Sequence, residues 1–351
     1  MKRLALVTAV CALVVIGLKV LSKPVSPLPA LKIVALTNDK VHQKSIVNEF
    51  PVASPDGRYL VFQRTDDIKI EEAKDGTRYY DFTDESNWDI WKMRADGTEW
   101  QRLTDAPTLE DQPIWSPDGS TIVYRFFNKG SFDIYLMDAD GRNQRPLVDK
   151  PSDEKAPAFS RDGKHVVFFS NMDGKKWNLY TVELSTRRLT RQTEDKYEDK
   201  HPQFSGDDRA IFFHSNRNSS KRAYNGGRHN SMGIFTLDLV TRKITQLTVS
   251  HTDEDNRHPF ISPDGRFVTY HRNLLSPQRG DSEVAKRIKR DIFVMTQDGR
   301  RSLSLTRDDE RQFKHPSWSA DGKQIYCLVK DGEMAWNIGA IDVSHALARL
   351  E

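Results

Sequence analysis

The sequence predicts an all-β protein, a six-bladed β-propeller built of four-stranded antiparallel blades. Two observations carry that expectation. An Asp-centred turn recurs six times, as "SPDG" at Ser54 and Ser116, "SRDG" at Ser160, "SGDD" at Ser205, "SPDG" at Ser262 and "SADG" at Ser319. The serines are 62, 44, 45, 57 and 57 residues apart, so the unit is 44 or 45 residues with three insertions. Each turn is also followed by the same succession of short β-branched and aromatic runs. A fixed period of this length marks a blade array or a solenoid. No helical period separates the runs, which argues for blades.

Each unit resolves into four strands. The first ends in the turn, as in "QPIWSPDG", "APAFSRDG" and "HPSWSADG". Pro and Asp favour the start of such a turn, and Gly accepts the positive φ within it. The second strand is β-branched and aromatic: "YLVF", "TIVY", "HVVFF", "AIFF", "FVTY", "QIYC". The third follows a polar or small residue: "DIWKM", "DIYLM", "NLYTV", "GIFTL", "DIFVM", "NIGAI". The fourth is polar-edged and ends in "LT" or a variant of it. A lone blade cannot bury both faces of its sheet, and stacking six around an axis lets neighbouring aromatic faces cover one another.

The sixth unit runs out early, at "NIGAIDVSHALARLE". Two segments compete for its outer strand. One is "HALARL" itself. The other is "LKIVALTNDK" near the N-terminus, whose "VALT" at Val34 matches the fourth-strand ending of other units. The second solution closes the ring by joining the two ends of the chain and covers an exposed sheet edge.

Ahead of the repeats stands "MKRLALVTAVCALVVIGLKVLSKP". Two basic residues precede the uncharged run Leu4 to Leu18, the pattern of an export signal. The run is short for a span of about 20 residues; extended to residues 4–21 it could anchor the chain in a membrane. Residues 1–23 therefore read as a signal peptide or signal anchor, 24–47 as linker and ring-closing strand, and 48–351 as the propeller. A periplasmic or other extracytoplasmic location follows. The net charge of +3 rests on Lys2, Arg3, Lys19 and Lys23; without them the remainder carries −1. A nucleic-acid binder would carry a basic excess, so nucleic acid is not expected as a partner. With Cys11 in the export segment, Cys327 stands alone in "QIYCLV". It reads as a buried structural thiol.

The repeat as a whole, "WSPDG" leading into a strand, "FFSNMDGKKWNLYTVEL" at Phe168 and the blade-closing "LT", resembles the propeller of the TolB family over roughly residues 32 to 351. Related repeats occur in prolyl-oligopeptidase propellers and oligogalacturonate lyases. The chain departs from TolB itself, which carries an α/β domain ahead of its propeller. It also lacks the G-x-S-x-G of a hydrolase domain. The resemblance implies the fold; one fold hosts many activities.

Strand direction alternates, so the Asp/Gly turns share one face of the disc, the turn face. The links between second and third strands share the other, here called the loop face, with the starts of the first strands. All three insertions fall in such links, in units one, four and five. Long loops grouped on a rigid scaffold usually carry function. Those of units four and five are basic and offer a rim at Arg222, Arg228, Arg287 and Arg290 for an anionic ligand.

Two residues per unit are candidates for the channel mouth. Two places before the shared proline stand Glu49, Asp111, Lys155, Lys200, Arg257 and Lys314, with acids in units one and two and cations thereafter. Such a mouth would be electrically lopsided and orient a charged ligand. Directly before the proline, units four to six carry His201, His258 and His315. These imidazoles are expected to cap the strand start by hydrogen bonding to a neighbouring loop. His214 and His271 are expected to pack. Acid pairs such as Glu110–Asp111 and Glu198–Asp199 are expected in loops.

The reading that results is a non-catalytic platform without cofactor that binds a protein or acidic glycan over its loop face. The alternative is a manganese- or zinc-dependent lyase or hydrolase on acidic oligosaccharides. In it His201, His258 and His315 would hold the metal, as the resemblance to oligogalacturonate lyases implies. The sequence shows no P-loop, C-x-x-C or H-E-x-x-H.

Overall fold

A computed structural model describes residues 33–37 and 47–351, apart from 67–68, 73–77, 82–86, 175, 195, 218–222, 225–226, 229–230, 250–253, 276–287, 308 and 331–335. The expected signal or anchor, 1–23, lies outside the described residues. Among the described residues no helix is long and apolar enough to cross a membrane.

Six four-stranded antiparallel sheets follow one another along the chain. Their innermost strands are Val47–Ala53, Glu110–Trp115, Glu154–Phe159, Asp199–Phe204, Glu254–Ile261 and Gln312–Trp318. Each touches the next, and the last touches the first, so the six encircle one channel. Between blades the alternating apolar residues of second and third strands meet and vanish from solvent. Phe62, Met93 and Ile338, for example, share one cluster, and Val167, Phe213 and Leu237 another. Burying each such side chain contributes about 1.5–3 kcal/mol. Cys327 is among the fully buried residues of blade six, and burial pushes its thiol far above the usual range.

The Asp-centred turn has one design in all six blades. The Ser hydroxyl donates to the Asp carboxylate at 2.6–2.7 Å. The same hydroxyl oxygen accepts the N–H that opens the second strand, at 2.9–3.0 Å. The Ser hydroxyl is the leading cause holding Asp56 down to about 2.

The ring is closed by the N-terminus. Ile33–Ala35 pairs antiparallel with Asn337–Asp342, with Ile33 opposite Ile341 and Ala35 opposite Gly339. The rival segment "HALARL" lies instead in the helix Ser344–Leu350. The "LT" signature explains why the N-terminal segment fits. In blades one, three, four and five the Thr hydroxyl accepts a third-strand N–H at 2.8–3.0 Å: Thr104 from Ile90, Thr193 from Leu179, Thr248 from Ile234 and Thr306 from Ile292. Thr37 accepts the N–H of Ile338 at 3.0 Å. The Leu has a second task. A Cβ at Gly141 would stand 2.6 Å from the Leu103 carbonyl oxygen, and one at Gly97 would stand 2.6 Å from that of Leu36. Leu36 thus packs on blade one as Leu103 packs on blade two.

The three enlarged links all join second to third strands and therefore leave the same face. The first contains the strands Lys69–Glu72 and Arg78–Asp81, paired with each other; the second contains Ala223–Tyr224 and Gly227–Arg228. In blade five the flanking strands themselves lengthen, to Phe267–Leu275 and Ile288–Thr296.

Candidate functional site at the loop-face mouth of the channel

In every blade the innermost strand slips register at the shared proline, between Glu49 and Val52, Asp111 and Ile114, Lys155 and Ala158, Lys200 and Gln203, Arg257 and Phe260, Lys314 and Ser317. The residue before the proline is left-handed each time. Phe50, Gln112, Ala156, His201, His258 and His315 have φ between 48° and 53°. None is glycine, and a residue before proline is ordinarily driven to extended backbone. Such strain, of order 1–3 kcal/mol per residue, persists where the surroundings over-determine it. Here the preceding blade does so at three positions. The Gln112 N–H donates to Gln63 Oε1 at 2.9 Å, the Ala156 N–H to Gln112 Oε1 at 2.8 Å, and the His258 N–H to His214 Nδ1 at 3.2 Å. The recurrent proline was the only trace of this bulge in the sequence.

The bulge aims the three candidate histidines into one place. His201, His258 and His315 line a cavity of about 50 Å³ on the channel axis, together with Phe50, Gln112 and Ala156. His201 and His258 meet edge to face with ring centroids 3.9 Å apart, and His258 and His315 at 4.7 Å. His214 and His271 stack behind them, on His201 at 4.9 Å and on His258 at 4.8 Å, and Phe50 stacks on His315 at 3.9 Å. Burial comes first in holding all five imidazoles well below their usual range, helped by nearby cations at His201, His214, His271 and His315 and by the neighbouring imidazoles at His258, so they are neutral at pH 7. The expected caps are not formed through Nδ1: that atom has no hydrogen-bond partner in His201, His258, His271 or His315. At His201, His258 and His315 the left-handed backbone brings the rings against one another. A shared metal would need nitrogens converging at about 2.0–2.1 Å. Among the described residues no group of three His, Cys, Asp or Glu is disposed to hold a metal ion as the rings stand.

Outside the imidazoles lies the charged ring, and it is largely self-compensated. Glu49 is bonded to Lys314 across the closure between blades one and six. Asp111 is bonded through both oxygens to Arg125. Lys155 lies 3.3 Å from Asp153, Lys200 2.8 Å from Glu198, and Arg257 2.6 Å from Asp255. The expected lopsidedness is therefore much reduced, because Lys155, Lys200 and Arg257 each meet an acid two residues earlier and Lys314 meets Glu49 of the same ring. Burial is the first influence on Asp111 and pushes its carboxyl up against the pull of Arg125.

Of the acid pairs expected in loops, only Glu198 is in one. Glu110, Asp111 and Asp199 are in innermost strands and are buried. Glu110 and Glu154 occupy equivalent places, three before the proline, and burial pushes both up to about 7. Asp133, at the head of a third strand, is pushed up to about 6 by burial. Of the basic rim, Arg222 and Arg287 lie outside the described residues. Arg228 lies in the short strand Gly227–Arg228. Arg290 is described in full and stands at the mouth, where it donates to Gln312 Oε1 at 3.1 Å. On the turn face the channel opens into a bowl of about 530 Å³, lined by Phe159, Phe204, Phe260 and Trp318 among others.

The comparisons agree with this architecture. Residues 78–273 match the family model of the TolB β-propeller domain. The chain belongs to the TolB β-propeller family. Its fold is also that of several solved structures. One is a TolB-type protein from Agrobacterium tumefaciens, 19% identical, with a TM-score of 0.58 over 88% of this chain and 97% of that one. TolB from Acinetobacter baumannii is 18% identical with a TM-score of 0.53; the match covers 85% of this chain but only 63% of that protein. An oligogalacturonate lyase in complex with manganese is 14% identical with a TM-score of 0.54, over 90% of this chain and 94% of that one. At these identities the likeness is one of fold. No curated protein matches the sequence.

Proposed function

We propose that this TolB-family propeller is an exported, non-catalytic platform that captures a protein or acidic glycan over its loop face. The observation that supports the reading is the grouping of all three enlarged second-to-third-strand links on the face that also carries the ion-paired channel mouth. The blades are rigid and prebuilt, so little ordering cost falls on them when a ligand binds. Location outside the cytoplasm rests on the uncharged run Leu4 to Leu18 and its basic flank.

The test is to replace residues 276–287 by a short turn and to compare capture from envelope extract with that of the intact chain. Capture should be lost while the melting temperature is unchanged. Undiminished capture after all three links have been shortened would sink the platform. The enzyme alternative would be restored by one tightly held manganese or zinc per purified chain that is lost in His258→Ala.

A further inference from the structure

Immediately ahead of the residue that opens the third-strand motif, five blades carry a large apolar side chain: Trp88, Phe132, Trp177, Met232 and Trp336. Blade five carries Arg290 there, next to Asp291, whose register partner is Arg272. In other blades the aromatic at this position is the surface on which the mouth lysines lie. Lys155 Nζ is 4.3 Å from the centroid of Phe132 and 5.0 Å from that of Trp177; Lys200 Nζ is 5.6 Å from Trp177. In blade five the aromatic is missing, and a guanidinium stands among the mouth cations in its place. Arg290 and Lys314 lie against the same Trp336 ring, at 5.7 and 4.5 Å. His271 in turn lies among Arg257, Arg290 and Lys314, all three of which disfavour its charged form after burial does.

The charges do not balance here as they do elsewhere on the ring. Arg257 has Asp255 and Lys314 has Glu49. Arg290 has the neutral Gln312 and the face of Trp336. The carboxylate that acts on it, Glu49, is already bonded to Lys314, so the two cations share one acid. Three cations face two carboxylates. A half-buried guanidinium with only a shared counter-charge is costly to keep. Its planar fork matches one carboxylate. Beside it, His271 is 3% exposed, and the Nδ1 atoms of His271 and His315 have no partner. In the Nδ1–H tautomer such a ring donates a hydrogen bond to an anion.

We propose that Arg257, Arg290 and Lys314 form a subsite, between blades five and six, for a single carboxylate of an acidic ligand. The single surplus positive charge suits a monoanion better than a phosphate dianion. The inference rests on the platform reading and gives the chemistry of what the platform holds. A uronate and the side chain of Asp or Glu both supply that carboxylate.

The test is titration calorimetry at low salt with two acidic probes, digalacturonate and hexaglutamate, and two neutral ones, digalactose and hexaglutamine. At least one acidic probe should bind and neither neutral one. Arg290→Gln should weaken that binding about tenfold or more and leave the melting temperature unchanged, since no ion pair is broken. Arg290→Lys should lie between. Binding of digalacturonate alone assigns the carboxylate to a glycan, and of hexaglutamate alone to a protein. The subsite is overturned if neither acidic probe binds or if Arg290→Gln binds as tightly as the native chain. If that happens while shortening 276–287 still abolishes capture, the platform stands without the subsite. If shortening has no effect but Arg290-dependent binding remains, the subsite stands and the platform falls.

Discussion

The two faces of the disc obey different rules. On the turn face all six blades repeat one set of bonds, and the one blade that departs from the pattern repairs itself locally. In blade four "SGDD" puts Asp208 where the others have Gly, at φ 57°. Its carboxylate accepts the N–H groups of Arg161 and Asp162 from blade three, at 2.7 and 2.9 Å. Gly206 meanwhile gives way to the neighbouring turn, for a Cβ there would come within 2.8 Å of the Gly265 Cα. On the loop face the six blades share the proline bulge but differ in their mouth charges and in the length of their second-to-third-strand links, and at Arg290 a cation shares its nearest acid, Glu49, with Lys314. The turn face is organised for folding; the loop face tolerates variety because the turns and the channel-side bulges already hold the strands.

Substitutions on the two faces should separate these roles. The largest effect is expected at Gly206→Val, which drives a branched side chain into the backbone of the next turn. About 2–3 kcal/mol of stability should be lost, read as a lower denaturation midpoint with ligand capture per folded molecule preserved. A normal midpoint would show that the turn ring is slack.

Next comes pH. Carboxyls that are raised in the folded state, Glu110 and Glu154 at about 7 and Asp133 at about 6, hold protons that the unfolded chain has released. Their contribution is complete below about pH 4.5 and is lost as pH rises to about 7. The five neutral histidines have the opposite slope. Their folded-state values are depressed, so stability is complete above about pH 6.5 and falls in acid as the unfolded imidazoles take up protons. Glu110→Gln removes one carboxyl from the first set. It should therefore stabilise the protein at pH 8 relative to pH 5, by about 1–3 kcal/mol. Equal effects of the substitution at the two pH values would show that Glu110 titrates normally.

The smallest effect tests whether the closing strand is an ordinary outer strand. Thr37→Val and Thr248→Val each remove an acceptor for a third-strand N–H and should each cost about 1–2 kcal/mol in chemical denaturation. A negligible effect at Thr37 beside a full one at Thr248 would mean that the closure is frayed in solution.

The fold was legible because its signals are local and repeated. Ser, Asp and Gly at fixed spacing specify the turn, alternating β-branched residues specify the strands, and a stray "VALT" could be recognised as a blade ending without its blade. The site was only partly legible. The convergence of His201, His258 and His315 could be anticipated from their equivalent places. Their unpartnered Nδ1 atoms could not, because the left-handed φ at each bulge has no residue-type signature: Phe, Gln, Ala and His all adopt it. The charge balance was misjudged for a related reason. Lys155, Lys200 and Arg257 each find an acid two residues earlier, at Asp153, Glu198 and Asp255, and that spacing becomes an ion pair only because the strand is extended. Arg290 was visible as a rim cation, but its place beside Lys314 on the Trp336 ring emerged only from the folded mouth.

The pairing of Ile33 with Ile341 has a consequence for how the disc comes into being. The latch joins two segments that lie on either side of the whole repeat, so a growing polypeptide can lay down five sheets and still hold an unfinished sixth. Completion waits for Asn337–Asp342 to arrive, at the entropic cost of joining segments separated by the whole repeat. A product that stopped short of Asn337 would keep almost all of its blades and still lack a clasp, leaving an unpaired sheet margin by which quality control could recognise it.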